Sequence, residues 1–385
     1  MQYDARVSEY LLELLRSALN NTTSKEKPED VSWNAVYALA HKHSVTALAF
    51  FAVQKLKNPP EQELFQIWQT QNSKILVKGA NQENELALLS DCFEKNAIAY
   101  MPLKGSVIRD LFPLPYLREM SDLDILIPVE KLQQACQLCE TMGYRINSRV
   151  EHHVELHRLP YMNIELHSGL IASFYEYYEY YKDPWTKAYR YNNDYRYAMR
   201  NEDLYLYFLT HAAKHFFNSG TGIRSVIDIY VFNRAYRPSM DTRYIAQELK
   251  KLNLERFARQ IEQLAQYWFA ENRTKASDDV KEMQSYVLSS ATYGTKSNRD
   301  ANQIRRYMQK GKSEDGAKTA MFLHMAFLPC DEMQLMFPIL KKAPVLLPFC
   351  WIARWFRIIL TKPKSITDSY KRVQDIQIYD RNKDS

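Results

Sequence analysis

Asp122 and Asp124, two carboxylates two positions apart, are the residues of this 385-residue chain best placed to do chemistry. Leu123, Ile125 and Ile127 alternate with Asp122, Asp124 and Leu126 until Pro128 ends the run, a pattern that predicts a short strand. Residues i and i+2 of a strand project from one face, so both carboxylates point at one locus while Leu123 and Ile125 pack behind them. Two such anions repel unless a cation lies between them, and their oxygens suit a hard divalent ion such as Mg²⁺ or Mn²⁺. A solvated strand edge can carry the same Asp-x-Asp pattern, so the neighbouring residues decide its meaning.

Lys104-Gly105-Ser106 follows the apolar run 97–101, which is consistent with a strand, and opens one or two helical turns over 107–111. Backbone N–H groups and a hydroxyl at such a turn can hold a phosphate. Ile164-Glu165-Leu166-His167 repeats the alternation and places Glu165 and His167 on one face, a third carboxylate from a neighbouring strand. With Lys104 and Arg118 as nearby cations, these groups fit a phosphoryl-transfer site in which metal ions bridge nucleotide phosphates and an attacking hydroxyl.

Other groups leave two readings open. His211 and His215 stand i, i+4 on a helix, with Lys214 beside them, and either reach a substrate phosphate or fill the core. Arg224 and Asp228 have the same spacing, for which an intrahelical ion pair is expected. His153 and His157 share a strand face and with His167 imitate a zinc cluster, but no Cys or tight ligand motif accompanies them, so zinc is not expected.

The elements that must position these groups follow from periodicity. Residues 1–95 are helical: Val7, Tyr10, Leu11, Leu14 and Leu15 recur at helical spacing, the pattern resumes over 31–56, and a third run reaches Phe93. A small mixed sheet with a crossover helix occupies 96–170, with a helix over 130–142 closed by Gly143 and strands over 144–146, 150–156 and 162–166. Residues 171–361 return to helical periodicity, and 362–385 form a polar tail. Nine Tyr fall within residues 174–197, read as a helix-and-loop connector. The fold class is therefore α+β.

Composition bounds the function. The net charge is +6, and 46% hydrophobic residues supply a real core. Nine Gly against 27 Tyr and 17 Phe exclude Gly-rich repeats and argue against a glycine-built dinucleotide fold. Five Cys are an odd number and do not form a disulfide framework, and Cys136-x-x-Cys139 lies inside a helix with no second CxxC to complete a zinc site. The N-terminal segment is an amphipathic helix rather than a signal peptide. The apolar stretch 343–360 is interrupted by Pro344, Pro348, Arg354 and Arg357, so it is expected to dock on the protein's own surface rather than span a membrane. A cytoplasmic location is expected.

The Gly-Ser, Asp-x-Asp and third-carboxylate pattern resembles the nucleotidyltransferase superfamily of the DNA polymerase beta-like kind. More narrowly, the chain resembles a poorly characterised bacterial nucleotidyltransferase family with a leading helical region. Asp30-Val31-Ser32-Trp33, Leu39-Ala40-His41-Lys42-His43 and Leu103-Lys104-Gly105 carry that likeness, as do Arg118 and Asp122-Leu123-Asp124. It continues through Gly143-Tyr144, Ile164-Glu165-Leu166-His167, His211-Ala212-Ala213-Lys214-His215 and Asp228-Ile229 to Leu346-Leu347-Pro348 and Arg354. One departure is the fifteen residues, 107–121, between Ser106 and Asp122, longer than the superfamily's usual spacing.

The resemblance implies a small mixed-sheet nucleotidyltransferase core, over 96–170, flanked by helical regions. It implies that Asp122 and Asp124 ligate the metal, with Glu165 as third ligand or general base. Lys104, Gly105, Ser106, Arg118, His211, Lys214 and His215 would bind the nucleotide. The implied activity is Mg²⁺-dependent transfer of a nucleoside monophosphate from a nucleoside triphosphate, such as ATP, to a hydroxyl. A small hydroxylated acceptor is expected ahead of nucleic acid. The alternatives are a module that holds a nucleotide without transferring it, and a toxin-like enzyme acting on a macromolecule such as transfer RNA.

Overall fold

Strand alternation around Asp124 and Glu165 is realised as a five-stranded sheet: β1 (Met101–Pro102), β2 (Leu123–Leu126), β3 (Arg145–Val150), β4 (His153–Arg158) and β5 (Met162–His167), in the order β1-β2-β5-β4-β3. The computed structural model describes residues 4–160, 162–191, 195–273, 275–292 and 294–361. The expected polar tail and part of the Tyr-rich segment therefore lie outside the described residues. β2 and β5 pair in parallel and the other neighbours are antiparallel. Leu123, Ile125, Val154, Leu156, Ile164 and Leu166 share the apolar face, packed against Leu89, Phe93, Ala135, Cys136 and Cys139. Both cysteines of the CxxC pair are thus core residues, and burial pushes the Cys139 thiol up.

Four helices precede the sheet: α1 (Ala5–Leu19), α2 (Trp33–Lys42), α3 (Thr46–Val53) and α4 (Gln62–Lys95). Asp4 caps α1 by accepting from the Arg6 and Val7 amides, and Ser32 caps α2 through the Ala35 amide. The single pattern over 31–56 is two helices because Ser44 takes a left-handed φ of 51° between them. The run 97–101 is mostly a turn rather than a strand. Ala97, at φ 51°, and Ile98 close α4 by donating to the carbonyls of Glu94 and Phe93. Only Met101 and Pro102 pair with β2. α5 (Gly105–Ile108) is one turn, and α6 (Leu132–Thr141) crosses the apolar face before Gly143, at φ 89°.

The Tyr-rich segment is not only helix and loop. It contains a two-stranded ribbon, β6 (Ala188–Arg190) with β7 (Tyr197–Met199), and Tyr100 forms a parallel bridge to Arg196. Helices α7 (Asn201–Asn218), α8 (Ile223–Tyr236), α9 (Thr242–Lys251), α10 (Glu255–Phe269) and α11 (Asp278–Ser289) follow. The chain divides into two units, Met1–Lys214 with Gly222–Thr292, and His215–Thr221 with Tyr293–Ser385. Within the first, α10 returns to the chain start: Arg16 Nε donates to the Trp268 carbonyl at 2.7 Å and Asn20 Nδ2 to that of Phe269 at 2.7 Å.

The second unit holds α12 (Lys296–Gln309), α13 (Glu314–Ala326), α14 (Cys330–Met336) and α15 (Leu347–Thr361). Its cores are small, one built on Ile304 and Met321 and one on Met333, Leu340 and Cys350. Gly294, at φ 79°, fits where a Cβ would lie 2.0 Å from the Ser219 carbonyl oxygen. The surface-docking helix expected over 343–360 is α15, but Cys350 is its buried residue. By length and composition 344–361 is apolar enough to cross a membrane.

Candidate functional site

On the face opposite the core, register assembles the site. The parallel β2–β5 pairing sets Asp124 beside Glu165, and the β4–β5 pairing sets His153 opposite His167 and Glu155 opposite Glu165. Period-two alternation then puts all five side chains on one side. His167 Nε2 lies 2.8 Å from Asp124 Oδ1 and 3.1 Å from Glu165 Oε2, so a proton on Nε2 serves both carboxylates. The ligand atoms of Asp124, Glu165 and His167 all fall within 4.8 Å of one another.

Lys104 completes this arrangement from the turn that follows β1. The Leu103 amide donates to the Asp124 carbonyl at 2.9 Å, and Lys104 then takes a φ of 49°, a conformation that costs a non-glycine residue about 1–3 kcal/mol. Its ammonium sits 2.5 Å from Asp124 Oδ1, the oxygen that His167 also contacts. Burial opposes charge on both partners, yet mutual attraction outweighs it. Lys104, with His167, holds the Asp124 carboxyl well below the usual carboxylate range, and Asp124 holds the Lys104 ammonium above its ordinary value. Asp124 is 5% exposed, so it is a buried, paired anion.

The surrounding groups titrate accordingly. Burial, then repulsion from Asp124 and Glu165, pushes Asp122 up to about 6, against the pull of Lys104 and Arg224. Burial would raise Glu165 as well, but the hydrogen bond with His167 wins and holds it below the usual value. Burial, then the Lys104 charge, lowers Lys214 to about 8, although Asp124 and Glu165 pull the other way. The Lys214 ammonium stands 5.4 Å from the centre of the Tyr175 ring. Tyr207, one turn before His211 on α7, lies within the field of Lys104 and Asp124 and is raised chiefly by burial.

The remaining expected residues have diverse places. Arg118 donates through Nε and Nη2 to the two oxygens of Asp228, each at 2.8 Å, and through Nη1 to the Glu119 carbonyl. The bidentate partner of Asp228 is thus Arg118, not its helical neighbour Arg224, which donates to the Glu119 carbonyl at 3.0 Å. Gly105 makes room for a side chain, since a Cβ there would lie 2.5 Å from Met120 Sδ. Ser106 Oγ is buried without a hydrogen-bond partner among the described residues, as are Tyr207 Oη and His167 Nδ1. His211 lies on α7 with its ring centroid 6.2 Å from that of Tyr207. His215 belongs to the second unit.

Sequence reasoning singled out the wrong third histidine. His152, in the β3–β4 turn, clusters with His153 and His167, whereas His157 sits opposite Asn163 along β4. The Lys104–Asp124 pair and Tyr207 were also missed. The alternation of residues 164–167 signals His167, but nothing local signals a lysine bent onto a strand twenty residues away.

Comparison with known proteins gives two findings. Residues 29–270 match the model of a family described as uncharacterised nucleotidyltransferase. A solution structure of the antibiotic-resistance factor ANT(2'')-Ia is similar over 47% of this chain and 95% of that chain, at 10% identity and a TM-score of 0.34, a likeness too loose to argue from. No curated protein matches the chain.

Proposed function

Because this chain belongs to the uncharacterised nucleotidyltransferase family, we propose that the site on β2 and β5 moves a nucleoside monophosphate from a nucleoside triphosphate to an acceptor hydroxyl, with Mg²⁺ or Mn²⁺ as cofactor. The observation that carries the reading is the register of β2 and β5, which gathers Asp124, Glu165 and His167 within ligand distance on one face. Two carboxylates and an imidazole fit a divalent cation of the Mg²⁺ or Mn²⁺ class, and the unpartnered Ser106 Oγ adds a polar atom to Lys104's turn. Such a cation, when bound, supplies Lewis-acid polarisation of phosphate oxygens.

The chain's own residues do the rest. Lys104 and Lys214 bring positive charge to one locus, where a triphosphate is stabilised in a low-dielectric setting. Glu165, held ionised by His167, is a weak base, so it is assigned to the cation rather than to the acceptor's proton. Asp122 stands at the mouth of β2, close enough to feel both other carboxylates. The acceptor hydroxyl gives up its proton to water as its oxygen bonds to the α-phosphorus, while the bond to the bridging oxygen breaks and pyrophosphate leaves. A small hydroxylated molecule is the acceptor class we favour.

The test is calorimetric titration of each of the four nucleoside triphosphates, with and without Mg²⁺, into wild type, Asp122→Asn and Glu165→Gln. Mg²⁺-dependent binding that weakens in both variants supports the reading. Failure of every triphosphate to bind refutes it. Binding without transfer in an acceptor screen would make the protein a nucleotide-holding module. Label appearing on RNA rather than on small molecules would move the acceptor to the macromolecular class.

A further inference from the structure

Residues 341–364 contain six basic residues, Lys341, Lys342, Arg354, Arg357, Lys362 and Lys364, and no Asp or Glu. The rest of the chain is neutral, with 45 basic and 45 acidic residues, so the whole net charge of +6 resides in this segment. Its helix, α15, is amphipathic in an inverted sense. The side turned to the second unit carries its hydrogen-bonding groups. Trp351 Nε1 donates to the Leu328 carbonyl at 2.8 Å, Trp355 Nε1 to that of Ala326 at 3.1 Å, and Arg354 to those of Met325 and Ala326 at 3.2 and 3.3 Å. The side turned to solvent is apolar: Phe349 is 69% exposed, Ile352 54%, Phe356 63%, Ile359 51% and Leu360 80%. At 100° per residue these five form one continuous face with Arg357 at its edge.

We propose that this face binds the surface of an anionic lipid bilayer, with α15 lying in the headgroup layer rather than crossing it. An apolar face with Arg357 at its edge, preceded in sequence by the exposed Lys341 and Lys342 and followed by Lys362 and Lys364, is the composition of an interfacial helix, its apolar side sinking to the acyl boundary while these cations meet anionic headgroups. Spanning is disfavoured because Arg354 and Arg357 lie inside the 18-residue stretch that would have to cross. Spanning would also break the hydrogen bonds of Trp351, Arg354 and Trp355. A second copy is disfavoured because a two-fold contact would set one basic fringe against another.

The experiment is sedimentation of the full-length protein with phosphatidylcholine vesicles, with and without phosphatidylglycerol, at low and high salt. The expected result is binding that requires phosphatidylglycerol, weakens with salt, and falls by about tenfold or more in Phe349→Asp/Phe356→Asp. Both positions are exposed, so the variant keeps the circular dichroism of the wild type. Equal binding by wild type and the double variant overturns the proposal, and so does absence of binding to either vesicle. A dimer in solution that the double variant dissociates would assign the face to a second copy instead. Resistance of the bound protein to alkaline extraction would assign it to a span.

Discussion

Replacing Lys214 with Met should stabilise the unliganded protein while weakening its hold on a triphosphate. Burial and the Lys104 charge depress the Lys214 ammonium from its ordinary 10.5 to about 8. At about 1.4 kcal/mol per pH unit, holding that proton in the folded state costs roughly 3 kcal/mol. Below pH 8 the group is charged whether the chain is folded or not, and the cost is present in full. Between pH 8 and 10.5 the folded state releases its proton and the unfolded state keeps it, so stability rises with pH, and above 10.5 the cost is gone. Lys214→Met removes the cost at every pH, less about 0.5–1 kcal/mol for the lost contact with Tyr175. Urea unfolding of both proteins, followed through the buried Trp68 and Trp268, should show the variant ahead by about 2–3 kcal/mol at pH 7 and level with wild type near pH 10. Titration of pyrophosphate at pH 8.5 in buffers of different ionisation enthalpy should show proton uptake by wild type alone. Equal stabilities at pH 7, or a gap that persists at pH 10, would refute the assignment of a buried, depressed lysine to this site.

Other expectations concern neighbouring groups. Asp124→Ala strands a buried Lys104 and should cost about 3–5 kcal/mol in chemical denaturation, whereas Glu165→Gln should cost about 1 kcal/mol; equal costs would contradict the Lys104–Asp124 pairing. Asp122→Asn removes a carboxyl whose charged form is disfavoured until about pH 6, so the unliganded variant should outlast wild type at pH 7.5 and match it at pH 3.5. Gly294→Ala drives a Cβ onto the Ser219 carbonyl and demands a left-handed alanine; limited proteolysis should open the second unit first, and an unchanged cleavage pattern would count against that packing.

How much of this was legible in the sequence depends on the range of the interaction. Asp124 and Glu165 were readable as residues of one strand face because alternation with Leu123, Ile125 and Leu166 fixes that face locally, whereas Asp122, expected on the same strand, lies just before β2 and outside the Asp124–Glu165–His167 cluster. Their assembly was less so, because the parallel pairing of β2 with β5 joins segments forty residues apart and leaves no local mark. The burial of Asp124 left no mark in the sequence, because Lys104 folds back on it through a positive φ that only glycine would have announced. Helical spacing suggested an Arg224–Asp228 pair, yet a guanidinium 110 residues upstream supplies the bidentate partner. Ser44 and Ala97 interrupted apolar runs by adopting left-handed conformations that neither residue type advertises. Apolar patterning marked 343–360 as a helix, but patterning alone does not say which side faces out.

The bonds from Arg16 and Asn20 to the carbonyls of Trp268 and Phe269 have a consequence for biosynthesis. Arg16 and Trp268 are 252 residues apart, and a ribosome adding about 5–20 residues per second needs roughly 10–50 seconds to make the second after the first. Through that interval the nascent α1 can pack on α2 and α3, but the face that meets α10 stays without its native cover. Chaperones that recognise apolar surface would find that face open, and a ribosome halted before residue 270 would release a chain whose first helix lacks its α10 contacts.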